Sequence, residues 1–388
     1  MPKVVPVQEV QLRNISFSCL FLLGFVSHAA LAASGTELAH GTLYPRVLRV
    51  EHGPVGSSGH ILASTTGHIF ESDDEGRSFH TVADMQFRVG STERCCATLY
   101  EVPRQVGALP AGALLYSASF FQDGVPAIEV YASLDEGKSW RYHSTIVRRG
   151  DGKHGLWEPQ FYVAGDGALA VVWSDETDPC CNQKLAQMRS YDGVTWKDET
   201  NTVATAVESD RPGMAVVTPL PAHGFFMTYE VCGHFHCAVF ARNSEDGWHW
   251  GEPRDPGRLL RTADGGYFEH APTNVWIPSA PGGGVVLVAG QVTMKSDGSL
   301  DPLKNGRILL ASSHPESWDA WRTVQAPVDV PRSFDNYCPN YSSALLPVNG
   351  GQALLELASD YDAAGACRTY FATEPLAVVL AKQTGTRP

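Results

Sequence analysis

A short turn motif that recurs along the chain limits its fold more than any other feature. Ser72-Asp73-Asp74-Glu75-Gly76-Arg77-Ser78-Phe79 is followed by Ser133-Leu134-Asp135-Glu136-Gly137-Lys138-Ser139-Trp140. Shorter copies are Ser190-Tyr191-Asp192-Gly193-Val194-Thr195-Trp196 and Ser244-Glu245-Asp246-Gly247-Trp248-His249-Trp250, with a degenerate fifth at Ser312-Ser313-His314-Pro315-Glu316-Ser317-Trp318. Successive copies begin 61, 57, 54 and 68 residues apart. The composition has a physical reason. Ser and Asp accept backbone N–H groups and close a turn that no ladder closes. Gly supplies positive φ, and the final aromatic ring packs into the sheet. A repeat of this length fits one four-stranded blade with its loops. Short apolar runs lie between the copies, at 47–50, 113–119, 168–173, 225–229, 285–292 and 353–357, and read as strands. Roughly 340 residues from Leu43 onward divide into blades of about 57. The expected fold is all-β, a six-bladed β-propeller with four-stranded antiparallel blades.

The N-terminus bears on compartment. Lys3 and Arg13 lead an apolar run from Ile15 to Val26, and His28-Ala29-Ala30-Leu31-Ala32-Ala33 supplies a small-x-small cleavage site. The run is too short to span a bilayer. Residues 1–32 therefore read as a signal peptide and 33–388 as the propeller, secreted or periplasmic and without membrane attachment once cleaved. Cleavage takes the formal charge from −13 to −14, because Lys3, Arg13 and Glu9 leave. An acidic surface argues against nucleic acid or anionic lipid as partner. Of nine cysteines, Cys19 leaves with the leader, and the even remainder reads as disulfides. Cys232–Cys237 and Cys338–Cys367 fit local bridges. Cys95-Cys96 and Cys180-Cys181 either close on themselves or link to each other. No C-x-x-C pair is present, and His234 with His236, read as one face of a strand, has no third ligand in view. No metal or cofactor is expected.

Two carboxylates stand in apolar company: Glu158 within Gly155-Leu156-Trp157-Glu158-Pro159-Gln160-Phe161, and Glu230 at the end of Phe225-Phe226-Met227-Thr228-Tyr229-Glu230-Val231. Such a group is either desolvated, with its pKa raised, or paired with a cation. They are 72 residues apart, a little over one blade, so equivalent inner-strand ends of neighbouring blades would bring them to the central mouth. Two carboxyls there meet the need of glycoside hydrolysis for an acid/base and a nucleophile or base. Around them, Arg46, Trp157, Asp175, Arg211, Glu269, His270, Tyr337 and Tyr341 are candidates for substrate binding. Asp175 reads equally well as an acidic turn after a strand, and Arg211 as one half of an ion pair across blades.

The repeated turns resemble the Asp boxes of sialidase-type propellers. The segments around Glu158 and Glu230, with Ser174-Asp175-Glu176-Thr177-Asp178-Pro179, Gln183-Lys184-Leu185, Asp210-Arg211-Pro212-Gly213-Met214 and Tyr229-Glu230-Val231-Cys232-Gly233, resemble exo-arabinanases of glycoside hydrolase family 93. Tyr44-Pro45-Arg46 and Asn336-Tyr337-Cys338-Pro339-Asn340-Tyr341 fit the same kind of propeller. This resemblance implies a retaining enzyme that releases arabinobiose from the non-reducing end of α-1,5-arabinan. It implies Glu158 as nucleophile and Glu230 as acid/base, with the reverse order open. It also implies an oligo- or polysaccharide as partner and a monomer. The doubled cysteines depart from the family pattern. Two other functions fit part of the sequence. A sialidase would need three arginines on a substrate carboxylate, drawn from Arg46, Arg211, Arg332 and Arg368. A non-catalytic glycan-binding propeller would keep the turns and aromatics without needing two desolvated glutamates.

Overall fold

The computed structural model describes residues 33–40, 43–52, 59–221, 224–280, 282–318 and 321–381. The predicted signal peptide lies outside the described residues. The fold is the expected propeller. Five sheets are four-stranded, and a sixth carries two extra short strands. The first strand of each sheet lines the centre: Arg46–Arg49, Ser91–Glu101, Leu156–Val163, Arg211–Leu220, Thr273–Ile277 and Ala344–Val348. Each of these touches the next in order, and the last touches the first, so the ring is closed. Its closure uses both parts of the chain: Thr36–His40 forms the outer strand of blade 6, pairing Thr36 with Phe371 and His40 with Arg368.

The packing follows from the period of a strand. Successive side chains point to opposite faces, and here both faces meet another blade. In blade 1, Ile61 and Ala63 pack towards blade 6 with Leu355 and Phe371, whereas Leu62 packs towards blade 2 with Leu99 and Tyr116. Trp173 joins blades 2 and 3, Tyr229 joins 3 and 4, Trp321 joins 4 and 5, and Leu309 joins 5 and 6. Middle strands are buried on both faces for this reason, as in Leu169–Asp175, where all seven residues are buried. The run expected at 285–292 is two strands, Val285–Ala289 and Val292–Met294. It breaks at Gly290, where a Cβ would lie 2.5 Å from the Phe268 side chain.

Four of the repeated turns join the third and fourth strands of blades 1 to 4. In the first, Ser72 Oγ accepts the Gly76 N–H at 2.9 Å, and Asp74 accepts those of Arg77 and Ser78 at 3.0 and 2.9 Å. Asp135, Asp192 and Asp246 repeat the arrangement. The fifth copy keeps the Ser312 contact to the His314 N–H, and His314 stands where the other copies carry the Asp. These turns are scaffold.

Four disulfides form: Cys95–Cys96, Cys180–Cys181, Cys232–Cys237 and Cys338–Cys367. Each doubled pair closes on itself. The strand expected to carry His234 and His236 is instead a turn over 233–237, closed by Cys232–Cys237, with His236 and Cys237 at φ 54° and 61°. Among the described residues, no helix is long and apolar enough to cross a membrane.

One buried carboxyl lies outside the ring centre and gives a test of the packing. Glu356 is 1% exposed, with the Val328 N–H as donor at 2.9 Å. Burial raises its pKa to about 8, against the opposing N–H. The folded state therefore holds a proton that the unfolded chain releases above the ordinary carboxyl range. Stability on this account falls as pH rises from there through about 8, by at most roughly 5 kcal/mol. Glu356→Gln keeps the acceptor and cannot ionise. Urea unfolding should find the variant close to wild type at pH 5 and several kcal/mol more stable at about pH 9. Equal pH slopes for the two proteins would contradict the burial.

Candidate active site

Six residues with left-handed backbone, one per blade, surround the channel mouth. They are Tyr44, Cys96, Glu158, Met214, Ala271 and Ser342, with φ of 60°, 68°, 56°, 57°, 48° and 56°. Two residues after each, regular pairing begins or resumes: Arg46 with Ser64, Thr98 with Ser117, Gln160 with Val172, Val216 with Thr228, Thr273 with Ala289, and Ala344 with Leu357. In blades 2, 3 and 4 this is a β-bulge, and in blades 1, 5 and 6 the innermost strand begins just after it. A left-handed conformation costs a non-glycine residue about 1–2 kcal/mol, and bulges of this kind re-aim side chains at the rims of barrels. Here they turn side chains or N–H groups into the mouth.

Glu158 occupies the bulge of blade 3. Its Oε2 accepts Ser174 Oγ at 2.5 Å and the Met214 N–H, from the bulge of blade 4, at 3.1 Å. Gly213 lets the blades approach, because a Cβ there would lie 2.6 Å from the Gln183 amide and 3.7 Å from Glu158 Oε2. Glu230 is held by a similar device one blade on: its Oε2 accepts the N–H of Ala271, the left-handed residue before the innermost strand of blade 5, at 2.7 Å. The two glutamates are not at equivalent strand ends, as the sequence reading supposed. Glu158 lies on the innermost strand, whereas Glu230 lies on the second strand of the next blade, opposite Gly213. Ser119 and Ser174 hold the corresponding place in blades 2 and 3. A carboxylate thus stands where its neighbours carry a hydroxyl.

Their electrostatics differ. Burial raises the pKa of Glu158, while Ser174 and the Met214 N–H oppose it. Burial raises Glu230 to about 8, opposed by one N–H donor and reinforced by the negative charge of Glu158. Cys232 Sγ lies 3.5 Å from Glu230 Oε1 and, being in a disulfide, has no proton to donate. His270 lies 3.9 Å from Glu230 on one side and 3.7 Å from Asp335 on the other. Burial keeps this imidazole below its ordinary pKa. Glu269, beside it, accepts Tyr267 Oη at 3.3 Å. The extra strands of the blade 4 sheet fix this corner: Glu269 pairs with both Ala238 and Val292, stitching blade 4 to blade 5.

The other predicted residues fall into three groups. Tyr341 packs between Tyr44 and Tyr337, with centroids at 6.2 and 5.9 Å, giving an aromatic wall that runs from buried Tyr44 to exposed Tyr337. Arg46 lies 4.1 Å over the Tyr44 ring and is held by Ser342 Oγ at 3.1 Å. Trp157 and Arg211 meet at Glu176, which accepts both side chains and the Gly155 N–H. These bonds outweigh burial and hold Glu176 below the usual carboxylate range. A cleft of about 650 Å³ opens from Glu176 and Arg211 over Asp151, His154, Asp178 and Glu208. Asp175 is the exception and is withdrawn from the binding site. It is fully buried and bound to Arg149 at 2.5 Å and to Thr177 through N–H and hydroxyl at 2.8 and 2.6 Å. It holds the scaffold. Residue type did not reveal Met214 and Ala271, which act through backbone N–H, nor Asp335, whose part depends on a loop.

Fold and mouth together define a six-bladed β-propeller in which half-buried Glu158 and buried Glu230 reach one aromatic-walled mouth. Among solved structures it is similar to a glycoside hydrolase family 93 α-L-arabinofuranosidase of Fusarium graminearum in complex with arabinobiose. Identity is 21%, the match covers 90% of this chain and 99% of that one, and the TM-score is 0.72. An α-L-arabinanase of Penicillium chrysogenum complexed with arabinobiose matches at 23% identity with the same coverage and TM-score. The NanB sialidase of Streptococcus pneumoniae is more distant, at 11% identity and TM-score 0.58 over 89% of this chain and 70% of that one. At such identities the likeness is one of fold. No family model and no curated protein matches the sequence.

Proposed function

We propose that this protein is a secreted or periplasmic glycoside hydrolase, a retaining, exo-acting, arabinanase-like enzyme that works as a monomer. The observation that carries this reading is the unequal solvation of two carboxyls at one mouth. Burial raises the pKa of Glu158, but two donors on one oxygen oppose that rise and favour its ionised form. Glu230 is buried with a single N–H donor to offset that burial, and the charge of Glu158 adds to it, which favours its protonated form. Glu158 would attack the anomeric carbon while Glu230 gives its proton to the leaving oxygen. Glu230 would then take a proton from the water that releases the sugar and frees Glu158. The predicted signal peptide and four disulfides fit an oxidising compartment.

The sialidase alternative is disfavoured because three of its four candidate arginines already have partners. Arg46 is bound by Ser342, Arg211 by Glu176 and Gln183, and Arg368 by Asp362. The carboxylates lining the cleft further disfavour an anionic glycan. A purely binding propeller would not need Glu230 to keep a proton near neutrality. The test is turnover of linear arabinan, arabino-oligosaccharides and sialosides with product analysis, repeated across pH. Arabinobiose is the expected product, and kcat/KM should fall above about pH 8 as Glu230 loses its proton. Release of sialic acid, or no turnover of any of the three, would sink the reading.

A further inference from the structure

The blade 2 bulge is filled by half of a disulfide between chain neighbours. Cys96 is bonded to Cys95, with Cα atoms 3.7 Å apart. The pair packs with Tyr44, Met214 and Ala271, which are the left-handed residues of three other blades, and with Tyr341. Both tyrosines feel the charges of Glu158 and Glu230, so this apolar patch adjoins the two carboxyls. On the other side Arg94, next to Cys95 in the chain, lies 4.3 Å over Phe121 and 5.2 Å over Trp157, the neighbour of Glu158. Cys96 is buried, while Cys95 is partly exposed.

Packing alone does not call for a disulfide here, since Met214 and Ala271 fill equivalent positions. Cys96 also carries the cost of a left-handed backbone, which tends to persist at functional sites. Two bonded sulfurs offer a polarizable, nearly apolar surface with no proton to donate. A neutral sugar ring has an apolar C–H face and a polar edge, and the mouth supplies a counterpart to each. The sulfurs and Tyr341 provide the apolar side, and the two carboxyls provide the polar side. We infer that Cys95–Cys96 is a substrate-contacting platform that, together with the adjoining wall of Tyr341 and Tyr337, seats the apolar face of a neutral furanose or pyranose ring beside Glu158.

This inference rests on the hydrolase reading, so wild-type hydrolysis of arabinotriose is measured first; its absence overturns that reading and the platform with it. With an active wild type, the double variant Cys95→Ala/Cys96→Ala should raise KM roughly tenfold or more with a smaller change in kcat, because the contact is uniform binding. Should the double variant fail to fold, wild-type protein decides. Phosphine reduction followed by alkylation, read by peptide mass, should be at least about tenfold slower at Cys95 and Cys96 with saturating arabinobiose than with equal maltose. An unchanged KM in a folded variant, or equal reduction rates with the two sugars, would overturn the platform and leave the hydrolase reading standing.

Discussion

Glu158→Gln and Glu230→Gln are each expected to lower kcat by at least roughly 1000-fold while the protein stays folded. Glutamine keeps an oxygen that can accept the Ser174 hydroxyl and Met214 N–H at the first site and the Ala271 N–H at the second. What is lost is the charge that attacks or the proton that leaves. The two variants should differ on an aryl arabinoside whose leaving group needs no protonation. The Glu230 variant should form its glycosyl–enzyme quickly and then stall, whereas the Glu158 variant should not react. Azide added to alanine variants should give a glycosyl azide of retained configuration at the acid/base position and of inverted configuration at the nucleophile position. Near-native turnover by either glutamine variant would remove the two-glutamate mechanism. The opposite azide outcome would exchange the two roles.

Asp175→Ala should act on stability and not on KM. The side chain is the shared partner of Arg149 and Thr177, with the Lys184 ammonium 4.0 Å away. Removing it takes one partner from half-exposed Arg149, which keeps Glu199, and from buried Lys184, which keeps Asp178, a change expected to cost about 1–3 kcal/mol. Denaturant unfolding should register that loss, and protein still folded at low temperature should show wild-type KM for arabino-oligosaccharides. A raised KM with unchanged stability would return Asp175 to the binding site.

What the sequence disclosed followed its periodicities. The Ser-Asp-Gly-aromatic turns fix their own geometry through local bonds, so four copies in register revealed the blades before any contact was known. Glu158 and Glu230 were legible because a carboxylate amid Trp, Leu, Phe and Tyr conflicts with burial unless something holds it. The left-handed positions were not legible, because such backbone at Tyr44, Cys96, Met214 and Ala271 has no residue-type signature when glycine is not used. For the same reason the donors on the two glutamates stayed hidden, as did the placement of Glu230 on a second strand. Asp175 misled because its sequence neighbours include Ser174 and Glu176, which do reach the mouth. One step along a strand turns a side chain from one face to the other.

The most direct test of the central claim is proton NMR of the first product released from an α-1,5-linked arabino-oligosaccharide, observed before mutarotation. The account predicts arabinobiose appearing first as the α-anomer, through a glycosyl–enzyme on Glu158. First appearance of the β-anomer would contradict it, since a single displacement by water would leave no role for Glu158 as nucleophile.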